Sequence, residues 1–223
     1  MSLNPPVLYF DLVDPLSLLA SAVMDQAEVS EAVSWRGLEL RPPPAALIDP
    51  TTAEWRARRD FAARQAERLT RPAGPLAHAS AGTAGIARIG NFTAARSPTI
   101  VPWTRKAHEL CEFARERDCL HAVRRALFRA HFIDRIDIGR IDLLVEVARR
   151  AGLDASETRA VLDVDRYTGA VLGNRNEALT QGVADVPALV LNEGRLEGTA
   201  VLSQIERAIE LLTETAQANR EEE

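Results

Sequence analysis

The sequence predicts an α/β fold in which a βαβ unit and a ββα unit are separated by a large all-helical insertion. Three observations predict it. Residues 7–12 are apolar or aromatic except for Asp11, and a helix-start signal and a second apolar run follow them. Much of the stretch 51–181 carries helix patterns with capping residues between them. Residues 186–191 form a further short apolar run, followed by a turn and an amphipathic helix pattern.

The first unit begins with a predicted strand over Val7–Leu12. Asp14 can accept hydrogen bonds from the unpaired N–H groups of a helix's first turn, and Pro15 fits the first helical position, where no N–H is needed. The helix is predicted from Leu16 to about Val33, and the second strand over Trp35–Leu40. Two strands joined by a helix in this way are expected to be parallel, with a right-handed crossover.

The middle of the chain is predicted to be helical. A capping box at Thr51–Glu54 opens a helix that runs from about Thr52 to Leu69. Residues 71–83 contain proline, glycine and alanine without periodicity and predict a loop. Further helices are predicted at Trp103–Arg117, Leu120–Ile133, Ile138–Ala151, Ala155–Asp163 and Arg166–Gln181.

The last unit begins with a predicted buried strand over Val186–Leu191. Pro187 cannot donate to a central ladder, so we expect it at the first strand residue. A cis Val186–Pro187 peptide bond would leave the N–H and C=O groups of Val186 free to pair with an extended ligand. Arg195–Glu197 is the predicted hairpin partner, and the final helix is predicted over Val201–Ala216.

Composition narrows the class of protein. Charged residues at 26% and hydrophobic residues at 46% are ordinary for a soluble globular protein. The net charge of −5 gives no general attraction to nucleic acid or anionic lipid, so neither is an expected partner. No apolar run approaches the ~20 residues of a membrane span. The first residues lack a signal-peptide pattern, and two cysteines without an export signal predict a reducing cytoplasm.

Several motifs, in this order, resemble the DsbA-like branch of the thioredoxin fold. The strand followed by Asp11-x-x-Asp14-Pro15-Leu16-Ser17 is similar to the family's active-site turn. Further similar motifs are Ala126-Leu127-Phe128-x-Ala130-x-Phe132, Ala151-Gly152-Leu153-Asp154 and Gly182-Val183-x-x-Val186-Pro187. The resemblance implies a discontinuous thioredoxin-like domain at 1–45 and 183–223 with a helical insertion domain at 46–182. The relatives it suggests are cytosolic DsbA-like oxidoreductases, hydroxychromene-carboxylate isomerases and kappa-class glutathione transferases.

The chain departs from this family at the active-site turn. Redox members carry Cys-x-x-Cys there, because a helix N-terminus stabilises the attacking thiolate. Here the four positions are Asp14-Pro15-Leu16-Ser17, so thiol–disulfide exchange at this turn is not expected. Cys111 and Cys119 lie in the helical insertion and are interpreted as buried or inert thiols.

The glutathione-using relatives suggest a second comparison. They hold the glutathione sulfur with a serine where Asp14 stands, and Ser17 matches their second serine. They also grip the γ-glutamyl end with Gly-Ser-Asp, of which Gly198 and Thr199 match the first two positions and Ala200 lacks the carboxylate. Thr199 is interpreted as a plain helix N-cap. Glutathione is therefore left open as a cofactor, with weak binding expected.

Three other patterns favour structural interpretations. Two Cys/His pairs match no standard zinc spacing, so a metal is not expected; they are His108 with Cys111 and Cys119 with His121. Acidic residues interleave with the arginines of 56–71, which favours a solvated helical face over a phosphate-binding surface. His131 is interpreted as a packed interior or cleft histidine, not a catalytic base.

Two functions follow from the resemblance. The first is an isomerase- or transferase-like enzyme acting on a small thiol or aromatic substrate, with Asp14 and Ser17 catalytic and Asp14 serving as acid or base, or orienting a water. The predicted substrate-binding residues are Pro15, Leu16, Val186, Pro187, Gly198 and Thr199. The second is a catalytically inactive binding or structural protein, with a peptide as an alternative ligand and a homodimer left open. A strongly raised pKa of Asp14 would favour the enzyme, and an Asp14 locked in capping bonds would favour the binding protein.

Overall fold

The residues predicted for the site lie next to the strands of a four-stranded sheet. In a computed structural model, which describes residues 6–70, 101–192 and 194–221, the sheet has the order β2-β1-β3-β4. The strands are β1 (Val7–Phe10), β2 (Ser34–Gly37), β3 (Ala188–Leu191) and β4 (Gly194–Glu197). β1 is parallel to β2 and antiparallel to β3, and β3 is antiparallel to β4. The predicted parallel pair and hairpin are therefore confirmed. The loop predicted at 71–83 lies outside the described residues.

The first helix is shorter than predicted. α1 spans Pro15–Gln26, with Asp14 as N-cap and Pro15 in the first turn, as the sequence predicts. It ends before Val33 because Glu28 adopts a φ of 57°, and a short 3-10 helix follows at Ser30–Ala32. β2 also ends before the predicted Leu40, since the N–H of Leu40 donates to the side chain of Asp11 (2.7 Å) instead of to a strand.

The helical stretch agrees with the predicted order. The helices are α2 (Ala53–Thr70), α3 (Arg105–Arg115), α4 (Leu120–Phe132), α5 (Ile141–Arg150), α6 (Ala155–Asp163) and α7 (Thr168–Thr180). The side chain of Asp154 caps α6 by accepting from the N–H of Glu157 (2.7 Å). At the start of α2 it is Thr52 that accepts, from the N–H of Trp55 (3.3 Å), one residue later than the predicted capping box. Asp165, with a φ of 54°, lies between α6 and α7 and separates the two helices.

The C-terminal helix is divided. α8 spans Thr199–Ser203 and α9 spans Ile205–Glu221, where the sequence predicts one helix from Val201. The N-cap of α8 is Gly198, at a φ of 54°, and Thr199 is the first helical residue. The interpretation of Thr199 as an N-cap is therefore wrong. Glycine takes this place because a positive φ is strained for other residues.

The two faces of the sheet pack against two apolar clusters, one larger than the other. Leu8 and Phe10 of β1 point into the larger cluster, together with residues of α1 to α6, α8 and α9, and Phe10 contacts Phe128 of α4. Tyr9 points the opposite way, into a smaller cluster with Ala178 and Val186. This alternation is the period of two expected of a strand with both faces covered. The domain boundaries at 46 and 182 stay a prediction.

Candidate functional site

Strand pairing brings the two predicted halves of the site together. β1 and β3 are antiparallel with Tyr9 opposite Ala188, so the end of β1 lies beside the start of β3. Asp14 follows β1 after a turn, and the cis Val186–Pro187 bond precedes β3. Pro187 lies one residue before the strand, where its carbonyl accepts from the N–H of Gly198 (2.8 Å).

Asp14 is the centre of the turn and is fully buried. One carboxylate oxygen accepts from the backbone N–H and from the hydroxyl of Ser17, both at 2.7 Å. The other accepts from Nε of Arg58 at 2.5 Å. Both oxygens therefore have donors, and the predicted capping of the first turn by Asp14 is confirmed, with the N–H of Ser17 as the donor.

Burial and pairing act in opposite directions on this ion pair. Burial raises the pKa of Asp14 above its usual range, although Arg58 and the two donors of Ser17 oppose the rise. Burial also tends to lower the pKa of Arg58, but the neighbouring Asp14 carboxylate outweighs it and raises that pKa, so the guanidinium stays charged. The state of Asp14 therefore does not decide between an enzyme and a binding protein. Asp14 has a raised pKa, and its carboxylate is held in capping and ionic bonds.

The other residues of the turn are also interior. The hydroxyl of Ser17 donates to Asp14 and accepts from the backbone N–H of Asp11 (3.3 Å). Pro15 and Leu16 are buried in the first turn of α1. A substrate would need a rearrangement of the turn to reach the Ser17 hydroxyl.

Arg58 is the residue that the sequence analysis missed. Its Nη1 and Nη2 atoms donate to the two carboxylate oxygens of Asp185, both at 3.0 Å, and Nη2 also donates to the carbonyl of Val186. One side chain of α2 thus ties the turn to the Val186–Pro187 loop. The sequence places apolar residues, Trp55 and Ala62, three positions before and four after Arg58, and the structure buries both. Arg58 therefore lies on the inner face of the helix.

The backbone of Val186 is not free to pair with a ligand in this structure. Its N–H donates to the side chain of Asp185 (2.8 Å), and its carbonyl accepts from Arg58. The expectation of two open groups is wrong, because Arg58 binds the carbonyl and the Asp185 side chain accepts from the N–H. Gly198 lies against the Asp185 side chain, and a Cβ at this position would be 2.4 Å from an oxygen of Asp185. Thr199 is exposed.

A cavity of about 620 Å³ opens beside the Arg58–Asp185 pair. Its lining combines apolar and charged side chains, among them Leu40, Leu47, Ile48, Trp55, Arg41, Arg58 and Asp185. The eight residues predicted for the site do not line it, whereas Arg58 and Asp185, which bind Asp14 and Val186, do. A cavity of this size is in the range that holds a small organic molecule.

The remaining candidates from the sequence are buried or paired. Burial raises the pKa of the Cys111 thiol to about 12 and also raises that of Cys119, so both are protonated near neutral pH. Burial lowers the pKa of His131 to about 4, which leaves it neutral. Within the described ranges, no group of three or more His, Cys, Asp or Glu residues is placed to hold a metal ion. No helix there is long and apolar enough to cross a membrane.

Comparisons with known proteins agree with this architecture. A family model of the DSBA-like thioredoxin domain matches residues 91–210. The Bacillus subtilis protein YwbO is 24% identical over 204 residues, which are 90% of this chain and 93% of YwbO.

Two solved structures are similar in fold. A probable DsbA oxidoreductase from Streptomyces coelicolor has a TM-score of 0.64 and 23% identity, covering 93% of this chain and 88% of its own. A 2-hydroxychromene-2-carboxylate isomerase has a TM-score of 0.61 and 17% identity, covering 96% of this chain and 98% of its own. At these identities the likeness establishes a thioredoxin-like fold with a helical insertion.

Proposed function

Because this chain belongs to the DSBA-like thioredoxin domain family, we propose that it is a non-redox member that binds a small molecule in the cavity beside Arg58. The proposal rests on the position of Arg58, between the buried Asp14 and the cavity. It neutralises a buried carboxylate at the turn where redox members carry a thiol, and it forms one wall of the cavity.

The absence of sulfur from the turn argues against dithiol chemistry. Thiol–disulfide exchange requires a thiolate that attacks one sulfur and is later resolved by another. Asp14 and Ser17 supply neither, and the buried Cys111 is held protonated by a pKa near 12. We expect no acceleration of insulin reduction by dithiothreitol. An acceleration that persists after Cys111→Ala and Cys119→Ala would contradict the non-redox assignment.

The cavity favours a small molecule over a peptide. An extended peptide would pair with both the N–H and the C=O of Val186, and the C=O is bonded to Arg58. Trp55 and Leu47 give the cavity apolar walls suited to an aromatic ring, and Arg41 and Arg58 place guanidinium groups in its lining. A small thiol or an aromatic molecule remains the substrate class we propose.

The three tryptophans allow a direct test of binding. Trp55 lines the cavity, whereas Trp35 is buried in the core with its indole N–H bonded to Ser30. On titration with an aromatic probe such as cinnamamide, the indole ¹H–¹⁵N signal of Trp55 should shift saturably and that of Trp35 should stay in place. The absence of any shift at Trp55 with aromatic or thiol probes would contradict the proposal.

A second candidate is an enzyme of isomerase or transferase type, and the raised pKa of Asp14 favours it. Asp14 would act as acid or base through the Ser17 hydroxyl at 2.7 Å, after Arg58 has moved away from it. The assay is isomerisation of 2-hydroxychromene-2-carboxylate with glutathione present, comparing the native protein with Asp14→Asn. Turnover that Asp14→Asn abolishes would support the enzyme, and no turnover would leave the binding protein.

Glutathione binding is expected to be weak for either function. Ala200 lacks the carboxylate that grips the γ-glutamyl end in the glutathione-using relatives. Losing one charge-assisted hydrogen bond costs about 1.5–3 kcal/mol, or roughly ten- to a hundredfold in affinity. Titration calorimetry of the native protein and of Ala200→Asp measures this difference. Micromolar binding by the native protein would show that another group holds that end.

A further inference from the structure

The two ends of the Arg58 guanidinium lie in different surroundings. Nε points to Asp14, whose side chain is wholly buried, whereas Nη1 and Nη2 point to Asp185, whose side chain is 40% exposed. Breaking a buried pair leaves a charge without solvent or partner, but an exposed carboxylate that leaves its pair is rehydrated. The Nη edge of Arg58 is therefore the one that can exchange its partner.

We propose that the cavity recognises a small organic acid with an apolar body, whose carboxylate replaces that of Asp185 on Arg58. This inference rests on the proposed small-molecule function and names the class of ligand. Asp185 already shows the bonding that such a ligand would adopt. It accepts from Nη1 and Nη2 at 3.0 Å each, and from the N–H of Val186 at 2.8 Å. Two parallel N–H···O bonds are the strong geometry for a carboxylate on an arginine.

The loop can release the Asp185 side chain without moving its backbone. The carboxylate of Glu197 accepts from the backbone N–H groups of Ala184 (2.9 Å) and Asp185 (3.2 Å), which fixes this part of the loop to β4. A rotation of the Asp185 side chain towards solvent is then sufficient. The ligand carboxylate takes over the donors of Arg58 and Val186, so no buried donor is left unpaired.

The cavity provides for the rest of such a ligand. Arg58 and Asp185 both line it, and Trp55, Leu47 and Ile48 supply apolar surface. Arg41 is exposed at its edge and forms no ion pair with any residue that the structure describes, so it adds positive charge for an approaching anion.

Two further carboxylates also line the cavity. That of Asp49 is bonded to the N–H and hydroxyl of Thr51 (2.8 and 2.7 Å), and Glu54 is exposed. Neither forms a hydrogen bond to Arg58 in the described residues, so Asp185 is the carboxylate that competes with a ligand.

Asp185 is thus an internal competitor, and its removal should raise the affinity for acids alone. The probes are trans-cinnamate and its neutral counterpart cinnamamide, titrated against the native protein, Asp185→Asn and Asp185→Ala with the Trp55 indole signal as readout. We expect both variants to bind cinnamate about tenfold more tightly. In them Arg58 no longer has to give up the Asp185 carboxylate before it can bind the carboxylate of the ligand. The affinity for cinnamamide should stay unchanged.

A matched control separates local competition from net charge. Asp163→Asn removes one exposed carboxylate from α6, outside the residues that line the cavity, and should leave cinnamate affinity at the native value. Equal gains for cinnamate and cinnamamide, or no gain for cinnamate in either Asp185 variant, would overturn the inference. If cinnamamide binds at Trp55 while cinnamate shows no gain, the inference falls and the proposed function stands. If neither probe affects Trp55 in any variant, both fall.

Discussion

Asp14 and Asp185 bind the guanidinium of Arg58 from two different regions of the molecule. Asp14, in the turn after β1, is sealed from solvent and also caps α1, whereas Asp185, in the loop before β3, faces a cavity with 40% of its side chain exposed. A buried ion pair is costly to break, and an exposed one contributes little to stability. The comparison indicates that the turn stabilises the fold while the loop is available for exchange.

Arg58→Met should have the largest effect on stability. It leaves the Asp14 carboxylate buried without its cation, and breaking a buried pair in this way costs about 3–5 kcal/mol. The loss is measured as the change in the free energy of unfolding, from denaturation with guanidinium chloride near neutral pH. Arg58 lowers the pKa of Asp14, so its loss lets that pKa rise further and the folded variant binds a proton more readily. The cost of the substitution should therefore shrink as the pH is lowered.

The matched control is Arg68→Met on the same helix. Arg68 pairs with Glu206 near the surface, so its loss should cost about 0–1 kcal/mol. Equal costs at the two positions, or a cost at Arg58 that does not change with pH, would remove the distinction between buried and exposed pairs.

His131 should give the interior a second pH response. Burial lowers its pKa in the folded state to about 4, below the 6.5 of an exposed histidine. The unfolded chain therefore binds the proton first as the pH falls. The stability is fully present above pH 6.5 and decreases by about 3 kcal/mol as the pH falls to about 4. Urea titrations across this range should show a flatter profile for His131→Phe than for the native protein. Parallel profiles would show that His131 is not neutral and buried.

The capping role of Asp14 can be separated from its charge. Asp14→Asn keeps an oxygen that can accept from the N–H of Ser17, while Asp14→Ala removes it. Loss of an N-cap costs about 0.5–2 kcal/mol, so the alanine variant should be less stable than the asparagine variant by that amount. Thermal unfolding of the two proteins makes the comparison. Identical stabilities would mean that the cap does not contribute to the stability of α1.

Asp185→Asn should have the smallest effect on stability. The pair it breaks is partly exposed, and exposed pairs contribute about 0–1 kcal/mol. The asparagine oxygen can still accept from the N–H of Val186. Chemical denaturation should therefore place this variant within about 1 kcal/mol of the native protein. A loss as large as that of Arg58→Met would indicate that the loop, like the turn, is structural.

The sequence predicts the parts of this site that depend on neighbours in the chain. Asp14 followed by Pro15 is a local helix-start signal, and the run from Val186 through the turn is a local hairpin signal; both are confirmed. The end of α1 was predicted too late, because nothing in the pattern marks Glu28 for a positive φ.

Arg58 was not predicted, because its partners are 44 and 127 residues away and only the fold brings them together. An arginine among other arginines on a polar helix is typical of a solvated face. The bond from Arg58 to the carbonyl of Val186 depends on the same long-range approach and was not predicted either. Long-range polar pairing, unlike capping or periodicity, leaves no regular spacing in the sequence.

Arg58 thus holds Asp14 permanently and Asp185 exchangeably. Two double-mutant cycles measure this difference as a coupling in the free energy of unfolding, one combining Arg58→Met with Asp14→Asn and the other combining Arg58→Met with Asp185→Asn. We expect a coupling of at least about 2 kcal/mol for Arg58 with Asp14 and below about 1 kcal/mol for Arg58 with Asp185. Equal couplings, or a larger coupling with Asp185, would show that Arg58 does not hold the two carboxylates differently.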